Sequence, residues 1–217
     1  LDEHLLVLLH QEGGGGWQDI TTSRDEAANI VCGNTTSFSR FALGGVIPGS
    51  GTAVRYLAEG ATGSFFDVDL AIANPDRLAP AHVSVRFLML DGSTSARYVE
   101  VPPMSRRTVT VKRVPAMADA HFSTVVESDV PVVVDRRMTW TSEAYGSHAE
   151  TSVVAPAPTW YLAEGATHSG FELFYLIQNP NPSAVAVEVT YLRPAPDPPL
   201  VKTYTVAANS RFNIWVD

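Results

Sequence analysis

Apolar and polar positions alternate along much of the chain with a period of two. Alternating segments lie at 83–87, 108–111 and 185–191, and short continuous apolar runs lie at 131–134 and 173–177. Because side chains two residues apart lie on the same face of a β-strand, alternation predicts half-buried strands, and the continuous runs predict strands covered on both faces. No segment sustains a helical period, and only residues 24–31 allow a short helical turn.

Turn sequences such as Asn74-Pro75-Asp76 and Asp91-Gly92 separate the predicted strands. Many short strands with frequent turns are typical of an all-β sandwich or barrel. We interpret the chain as tandem immunoglobulin-like β-sandwich domains.

The chain repeats itself. Residues 56–62 read Tyr-Leu-Ala-Glu-Gly-Ala-Thr, and the same seven residue types return at 161–167, 105 positions later. Asn74-Pro75 and Ser105-Arg106 return at the same offset as Asn179-Pro180 and Ser210-Arg211. A long repeat of this kind indicates one folding unit used in series.

Two divisions of the chain fit this repeat. In the first, residues 1–54 are the last strands of an upstream β-domain with a linker, 55–155 are a complete sandwich, and 156–217 are a partial second copy. In the other, the units are 1–112 and 113–217, but their leading segments do not resemble each other. We adopt the first division and call 55–155 the first copy and 156–217 the second copy.

The repeated glutamates and arginines are candidates for structural ion pairs. Glu59 and Glu164 hold the same place in the two copies, as do Arg106 and Arg211. Since partly buried charges in proteins are usually paired, we expect Glu59 to lie close to Arg106 and Glu164 close to Arg211. The two glutamates stand in different units, which argues against a glycosidase carboxylate pair.

The second copy carries more aromatic residues than the first. Trp160, Tyr175 and Trp215 are candidate ligand-binding residues, because aromatic rings offer apolar faces on which sugars stack. Aromatic residues in a sandwich also form its core, so an exposed row of rings is the observation that would favour carbohydrate binding.

Composition narrows the classes of function. In 217 residues, 45% are hydrophobic and 18% are charged, which is typical of a globular chain,. The net charge of −8 argues against nucleic acid as a partner,. No apolar run approaches the ~20 residues of a membrane helix, so we expect no membrane insertion. Scattered histidines without metal-ligand spacing, and the lack of a phosphate loop or nucleophile elbow, predict no metal, no cofactor and no enzyme activity.

Cys32 is the single cysteine. It is either a buried thiol or one half of a disulfide whose partner lies outside these residues.

The repeated block, with Tyr-Leu-Ala-Glu-Gly-Ala-Thr, Asn-Pro and Ser-Arg in order, resembles a tandem β-sandwich repeat of secreted and surface bacterial proteins, most of which have no assigned function. Residues 122–140 resemble the closing strands of the same unit. The resemblance implies an extracellular or cell-surface location and an upstream cysteine as the partner of Cys32. It implies no catalytic residues.

Together these features predict a non-catalytic structural module of an extracellular or cell-surface protein, such as a stalk, spacer or fibre subunit. Its partners would be flanking domains of a longer chain or further copies of itself, assembled head-to-tail into a filament by strand complementation. In that assembly the strands of 1–50 would complete the second copy of the next protomer. The alternative is a carbohydrate-binding or adhesin module that recognises surface glycans.

Overall fold

The computed structural model describes residues 6–45, 51–140 and 146–216. Strands dominate these residues, and their only helical element is a 3-10 turn at Val111–Arg113. The predicted all-β fold with sandwich packing is therefore confirmed, while the immunoglobulin-like assignment stays a prediction. Among the described residues no helix has both the length and the apolar character needed to cross a membrane.

The N-terminal part forms a three-stranded sheet and a separate hairpin. Its strands are β1 (Leu6–Gln11), β2 (Gln18–Asp19), β3 (Thr21–Asp25), β4 (Ile30–Gly33) and β5 (Arg40–Gly45). The sheet has the order β2-β1-β5, and β3 pairs with β4. The helical turn allowed by the sequence within 24–31 does not form, because a tight turn that ends at Asn29, with φ of 55°, closes this hairpin instead.

The first copy is a two-sheet sandwich. One sheet has the order β10-β9-β12-β6, with β7 also paired to β12, and the facing sheet has the order β11-β8-β13-β14. The strand bounds are β6 (Ala53–Leu57), β7 (Ala61–Thr62), β8 (Phe66–Asn74), β9 (Ala81–Met89), β10 (Thr94–Val101), β11 (Ser105–Thr110), β12 (Ala120–Ser128), β13 (Val133–Trp140) and β14 (Gly146–Thr151).

Alternate residues of these strands fill the space between the two sheets. Leu70 and Ile72 of β8, with Val85 and Phe87 of β9, are fully buried in one cluster. Phe87 meets Phe122 of β12 edge to face, with ring centroids 5.2 Å apart. This core follows from the period-two pattern that the sequence shows at 83–87.

The N-terminal sheet covers the edge strand β10 of this sandwich. The Asp19 carboxylate, whose side chain is fully buried, accepts a hydrogen bond from the Tyr98 backbone N–H at 3.0 Å and lies 3.4 Å from the Arg97 guanidinium. Val7 of β1 packs against Ala96 of β10. The strands of 6–45 therefore lie against their own chain's sandwich, and they cap a sheet edge that would otherwise be exposed.

The second copy consists of two hairpin-like pairs. Its strands are β15 (Phe174–Asn179), β16 (Val185–Tyr191), β17 (Leu200–Val206) and β18 (Ser210–Trp215); β15 pairs with β18, and β16 pairs with β17. These strands correspond to β8, β9, β10 and β11 of the first copy. Within the described residues, nothing in the second copy corresponds to β12 or β13. The domain boundaries at residues 54 and 155 stay predictions.

Candidate functional site at the junction of the two copies

The two copies touch through one end of the β15–β18 pair. Gln178 and Arg211 face each other across this pair, and β18 packs against β9 and β12 of the first copy. Gln178 Nε2 donates to the Thr124 carbonyl at 3.0 Å, and Arg211 Nη1 donates to the Gly60 carbonyl at 2.8 Å. Arg211 is only 4% exposed. The second copy is therefore joined to the repeated motif of the first copy by a buried cation.

A turn that recurs in both copies determines the position of the arginine. Asn179 Nδ2 donates to the carbonyls of Ser183, Val206 and Ala207 at 2.9, 3.2 and 2.8 Å. Ser210 Oγ donates to the Ala207 carbonyl at 2.8 Å. These bonds close the turn before β18, so the strand begins at Ser210 and Arg211 lies at its first outward-facing position.

The first copy builds the same corner. Asn74 Nδ2 donates to the carbonyls of Ala79 and Val101 at 2.9 and 3.0 Å, and Ser105 Oγ donates to that of Pro102 at 2.8 Å. Asn74 Oδ1 accepts from the Asp76 N–H at 2.9 Å. The repeated Asn-Pro and Ser-Arg pairs thus form a turn network.

Glu59 lies at the centre of a charged cluster beside this junction. Arg136 Nη1 lies 2.8 Å from Glu59 Oε2 and donates to the Glu59 carbonyl at 2.8 Å. Arg136 Nη2 donates to Glu150 Oε2 at 3.0 Å, and His148 Nε2 lies 3.5 Å from Glu59 Oε2. The Arg136 side chain is 1% exposed. The cluster therefore compensates a buried guanidinium with two carboxylates.

Arg211 interacts electrostatically with the charges of this cluster. Burial lowers the pKa of Arg211 to about 10; the nearby charge of Glu59 opposes this shift, and that of Arg136 adds to it. Glu59 is thus the carboxylate that both buried arginines approach.

The predicted pairing of Glu59 with Arg106, and of Glu164 with Arg211, is wrong: Glu59 pairs with Arg136, and Arg211 binds the Gly60 carbonyl. The sheet order β11-β8-β13-β14 puts β13, with Arg136, on the opposite side of β8 from Arg106. Arg106 is exposed, and so is Glu164, whose motif forms no strand. Arg211 binds the first copy's motif instead of its own. Arg136 was missed because it stands outside the repeated positions.

The three candidate aromatic residues have different surroundings. Tyr175 is half-buried between the two strand pairs, where its ring stacks on Tyr191 at 6.0 Å, so it belongs to the interior of the second copy. Trp160 is 60% exposed in a segment without strand structure. Trp215 is 62% exposed and stacks on Phe174 with ring centroids 6.2 Å apart and an interplanar angle of 13°. Phe174 was missed because sequence alone did not assign its face.

Cys32 is an exposed free thiol on β4. The expectation of a buried thiol is wrong, because the β3–β4 hairpin turns this side chain to solvent. The disulfide with a residue outside the chain stays a prediction. Across the described ranges, no group of three or more His, Cys, Asp or Glu side chains is arranged to hold a metal ion.

No protein-family model matches the sequence, and no curated protein matches it. A Thermotoga maritima protein designated 1070 is similar in structure, with 18% identity and a TM-score of 0.45 over 49% of this chain and 97% of the other. The Anabaena sensory rhodopsin transducer is similar over 40% of this chain and 87% of its own, with 24% identity and a TM-score of 0.34. Likenesses this partial assign the chain neither a family nor an activity.

Proposed function

We propose that the chain is a non-catalytic structural module of an extracellular or cell-surface bacterial protein, in which copies of one sandwich are joined in series. The observation that supports this most directly is the junction. A buried arginine of the second copy binds the repeated motif of the first, so the contact is built from residues that every copy carries. The extracellular location rests on the resemblance of the repeat to secreted bacterial proteins.

Open strand edges in the second copy support a role in assembly. In the first copy β8 pairs with β13 and β9 pairs with β12, whereas β15 and β16 have no strand on the corresponding sides within the described residues. Unpaired backbone N–H and C=O groups at a sheet edge are templates for an added strand. We propose that strands of the β12–β13 type, from a flanking part of a longer protein or from a neighbouring protomer, complete the second copy.

A synthetic peptide of residues 120–140, which spans β12 and β13, tests this proposal on the whole chain. Hydrogen exchange should slow at alternate amides of β15 and β16, because those amides point away from β18 and β17 and gain carbonyl partners. A matched peptide with proline in place of Val125, whose N–H faces β9 in the first copy, should protect β16 less, since it lacks a ladder N–H,. Equal exchange with and without the first peptide would contradict strand complementation.

A specific observation also supports the second candidate, glycan binding. Phe174 and Trp215 lie on the outer face of the β15–β18 pair, at the register positions that Asp69 and Thr110 hold in the first copy. The sandwich core therefore does not require aromatic residues there. Two nearly parallel exposed rings offer apolar faces of the kind on which a pyranose ring stacks,.

Calorimetric titration with bacterial cell-wall and capsule oligosaccharides tests this candidate. Trp215→Ala should abolish the binding heat, while Trp160→Ala, which removes an equally exposed indole outside the platform, should keep it. No heat with the unmodified chain across the panel, or equal losses in both variants, would refute glycan binding at this platform.

A further inference from the structure

Each copy carries one donor arginine and one acceptor motif, but only one donor and one acceptor are engaged. Arg211 is bound to the motif that contains Glu59 and Gly60. Arg106 occupies the same register position in the first copy: it lies opposite Ala73 on β8, as Arg211 lies opposite Gln178 on β15. A donor in the first copy and an acceptor in the second are therefore left over.

The unused groups are accessible. Arg106 is exposed on the outer side of β11 and makes no hydrogen bond or ion pair with any described residue. Glu164 and Gly165 are exposed, and the Glu164 carboxylate likewise has no partner in the described part of the chain. As far as residues 6–45, 51–140 and 146–216 show, a cation and an anion of matching chemistry thus lie unpaired on opposite copies.

We propose that Arg106 of one chain binds the Glu164-Gly165 motif of a second copy of this chain and repeats between molecules the contact that Arg211 makes within one. The guanidinium would donate to the Gly165 carbonyl and lie beside the Glu164 carboxylate. This inference deepens the proposed function by naming the partner and the residues of the serial contact.

The geometry of this contact is head-to-tail. The donor and the acceptor are different surfaces, so after one contact the molecule that supplies Arg106 keeps its acceptor free and the other molecule keeps its donor free. A heterologous contact that does not close on itself builds an open chain of molecules rather than a symmetric dimer.

The intermolecular contact differs from the internal one in two ways. Ala73 stands where Gln178 supplies a second hydrogen bond, so the intermolecular contact has one polar anchor fewer. Within the described residues no arginine plays the part of Arg136 for Glu164, so Arg106 alone would neutralise this exposed carboxylate. The result is a weaker contact with a stronger dependence on salt, because exposed charges are screened within about 10 Å at 0.1 M ionic strength.

Sedimentation velocity of the full chain over a concentration series, at low and high salt, tests the proposal. The weight-average mass should rise with concentration at low salt and fall towards the monomer value at high salt. Arg106→Glu and Glu164→Arg should each weaken association at least about tenfold, since each places like charges opposite each other. Arg107→Glu is the matched control: it makes the same charge change one residue along β11, on the alternate side of the strand.

Mixing the two variants provides the decisive readout. Arg106→Glu keeps the acceptor and Glu164→Arg keeps the donor, so an equimolar mixture should form heterodimers that neither variant forms alone. A monomeric wild type at every concentration, an Arg107→Glu variant as weak as Arg106→Glu, or a mixture that stays monomeric would each overturn the proposal.

Failure of this contact is distinguishable from failure of the proposed function. A wild type that associates, that is dissociated by peptide 120–140 and that is insensitive to Arg106→Glu would overturn the arginine contact and leave strand complementation in place. Charge-dependent association without peptide protection of β15 or β16 would support the arginine contact and refute strand complementation.

Discussion

Replacing Asn74 with alanine should destabilise the first copy more than any surface substitution. The side chain is 2% exposed and bonds four backbone groups that surround it. Its Nδ2 donates to the carbonyls of Ala79, Val101 and Pro102 at 2.9, 3.0 and 3.4 Å, and its Oδ1 accepts from the Asp76 N–H at 2.9 Å. Alanine fills none of these roles, and of the four bonded residues Val101 is fully buried, so its carbonyl would be left away from water.

The magnitude follows from the three short bonds. A neutral hydrogen bond contributes a net ~1 kcal/mol to stability, and a buried group left without a partner costs about 1–3 kcal/mol. Loss of three bonds therefore lowers the free energy of unfolding by at least ~3 kcal/mol. Since the Val101 carbonyl lies in the core, we expect a total of about 3–5 kcal/mol.

Urea unfolding followed by far-ultraviolet circular dichroism measures this change for Asn74→Ala, with Asn213→Ala as the matched control. Asn213 is exposed on β18 and makes no hydrogen bond to a described residue, so its loss should stay within about 0.5 kcal/mol,. Asn179→Ala removes the equivalent network of the second copy. There, hydrogen exchange should accelerate in β15 and β18, while β8 and β13 keep their protection.

A loss below about 1 kcal/mol for Asn74→Ala would refute the reasoning, because it would mean that water satisfies the corner as well as the amide does. Equal acceleration of exchange in both copies for Asn179→Ala would refute the view that each corner stabilises its own copy.

Three further changes probe the junction and the corner. Arg136→Met should lower the free energy of unfolding by about 1.5–3 kcal/mol in the urea assay, because it removes charge-assisted hydrogen bonds to the Glu59 carbonyl and to two partly exposed carboxylates,; an unchanged midpoint would contradict this. Gly60→Ala should cost about 1–3 kcal/mol in the same assay, since its Cβ would lie 2.2 Å from a ring atom of Phe122,; an unchanged midpoint would contradict this. Asp76→Asn, which installs the second copy's residue, should reduce the loss of stability in acid. Hydrogen bonds from the Ala79 N–H and a second backbone N–H hold the pKa of Asp76 below its ordinary value, so its contribution is present above about pH 4 and is lost as pH falls through the lowered pKa. Superimposable acid-unfolding curves would contradict this.

The strands could be predicted from the sequence because their alternation is regular. Residues 185–191 alternate without a break and form β16 over that same range. Residues 83–87 lie inside β9, and their alternate side chains are buried as expected. In these segments one face is apolar and the other polar, so a single pattern determines both the strand and its orientation.

The candidate site could be predicted only in part. Comparison of the two copies draws attention to Glu59 and Arg211, whose charges interact, but not to Arg136, which has no counterpart among the described residues of the second copy. Pairing also depends on the order of strands in the sheet. Nothing local in the sequence states that β13 lies between β8 and β14, because long-range antiparallel neighbours are chosen by the packing of the whole core.

The aromatic residues Phe174 and Tyr175 show a second limit of prediction from the sequence. Phe174 and Tyr175 are adjacent and both aromatic, so period-two reasoning places them on opposite faces without saying which face is buried. In the structure, the strand face that carries Tyr175 packs inside the second copy, and the face that carries Phe174 is exposed. Only comparison with Asp69, the polar residue at the corresponding position of the first copy, identifies Phe174 as the exposed member.

The four described strands of the second copy bury little apolar surface, which has an energetic consequence. A two-stranded hairpin is at best marginally stable in water, and the second copy is two such pairs facing each other. Among its apolar side chains only Val206 and Ile214 are fully buried, whereas the first copy buries a continuous cluster. Within the described residues its stability therefore rests in part on contacts with the first copy. The buried arginine at the junction supplies one such contact, and strands added at β15 and β16 would supply the rest. Completion by such strands, as proposed, would therefore stabilise the second copy more in a series of modules than alone.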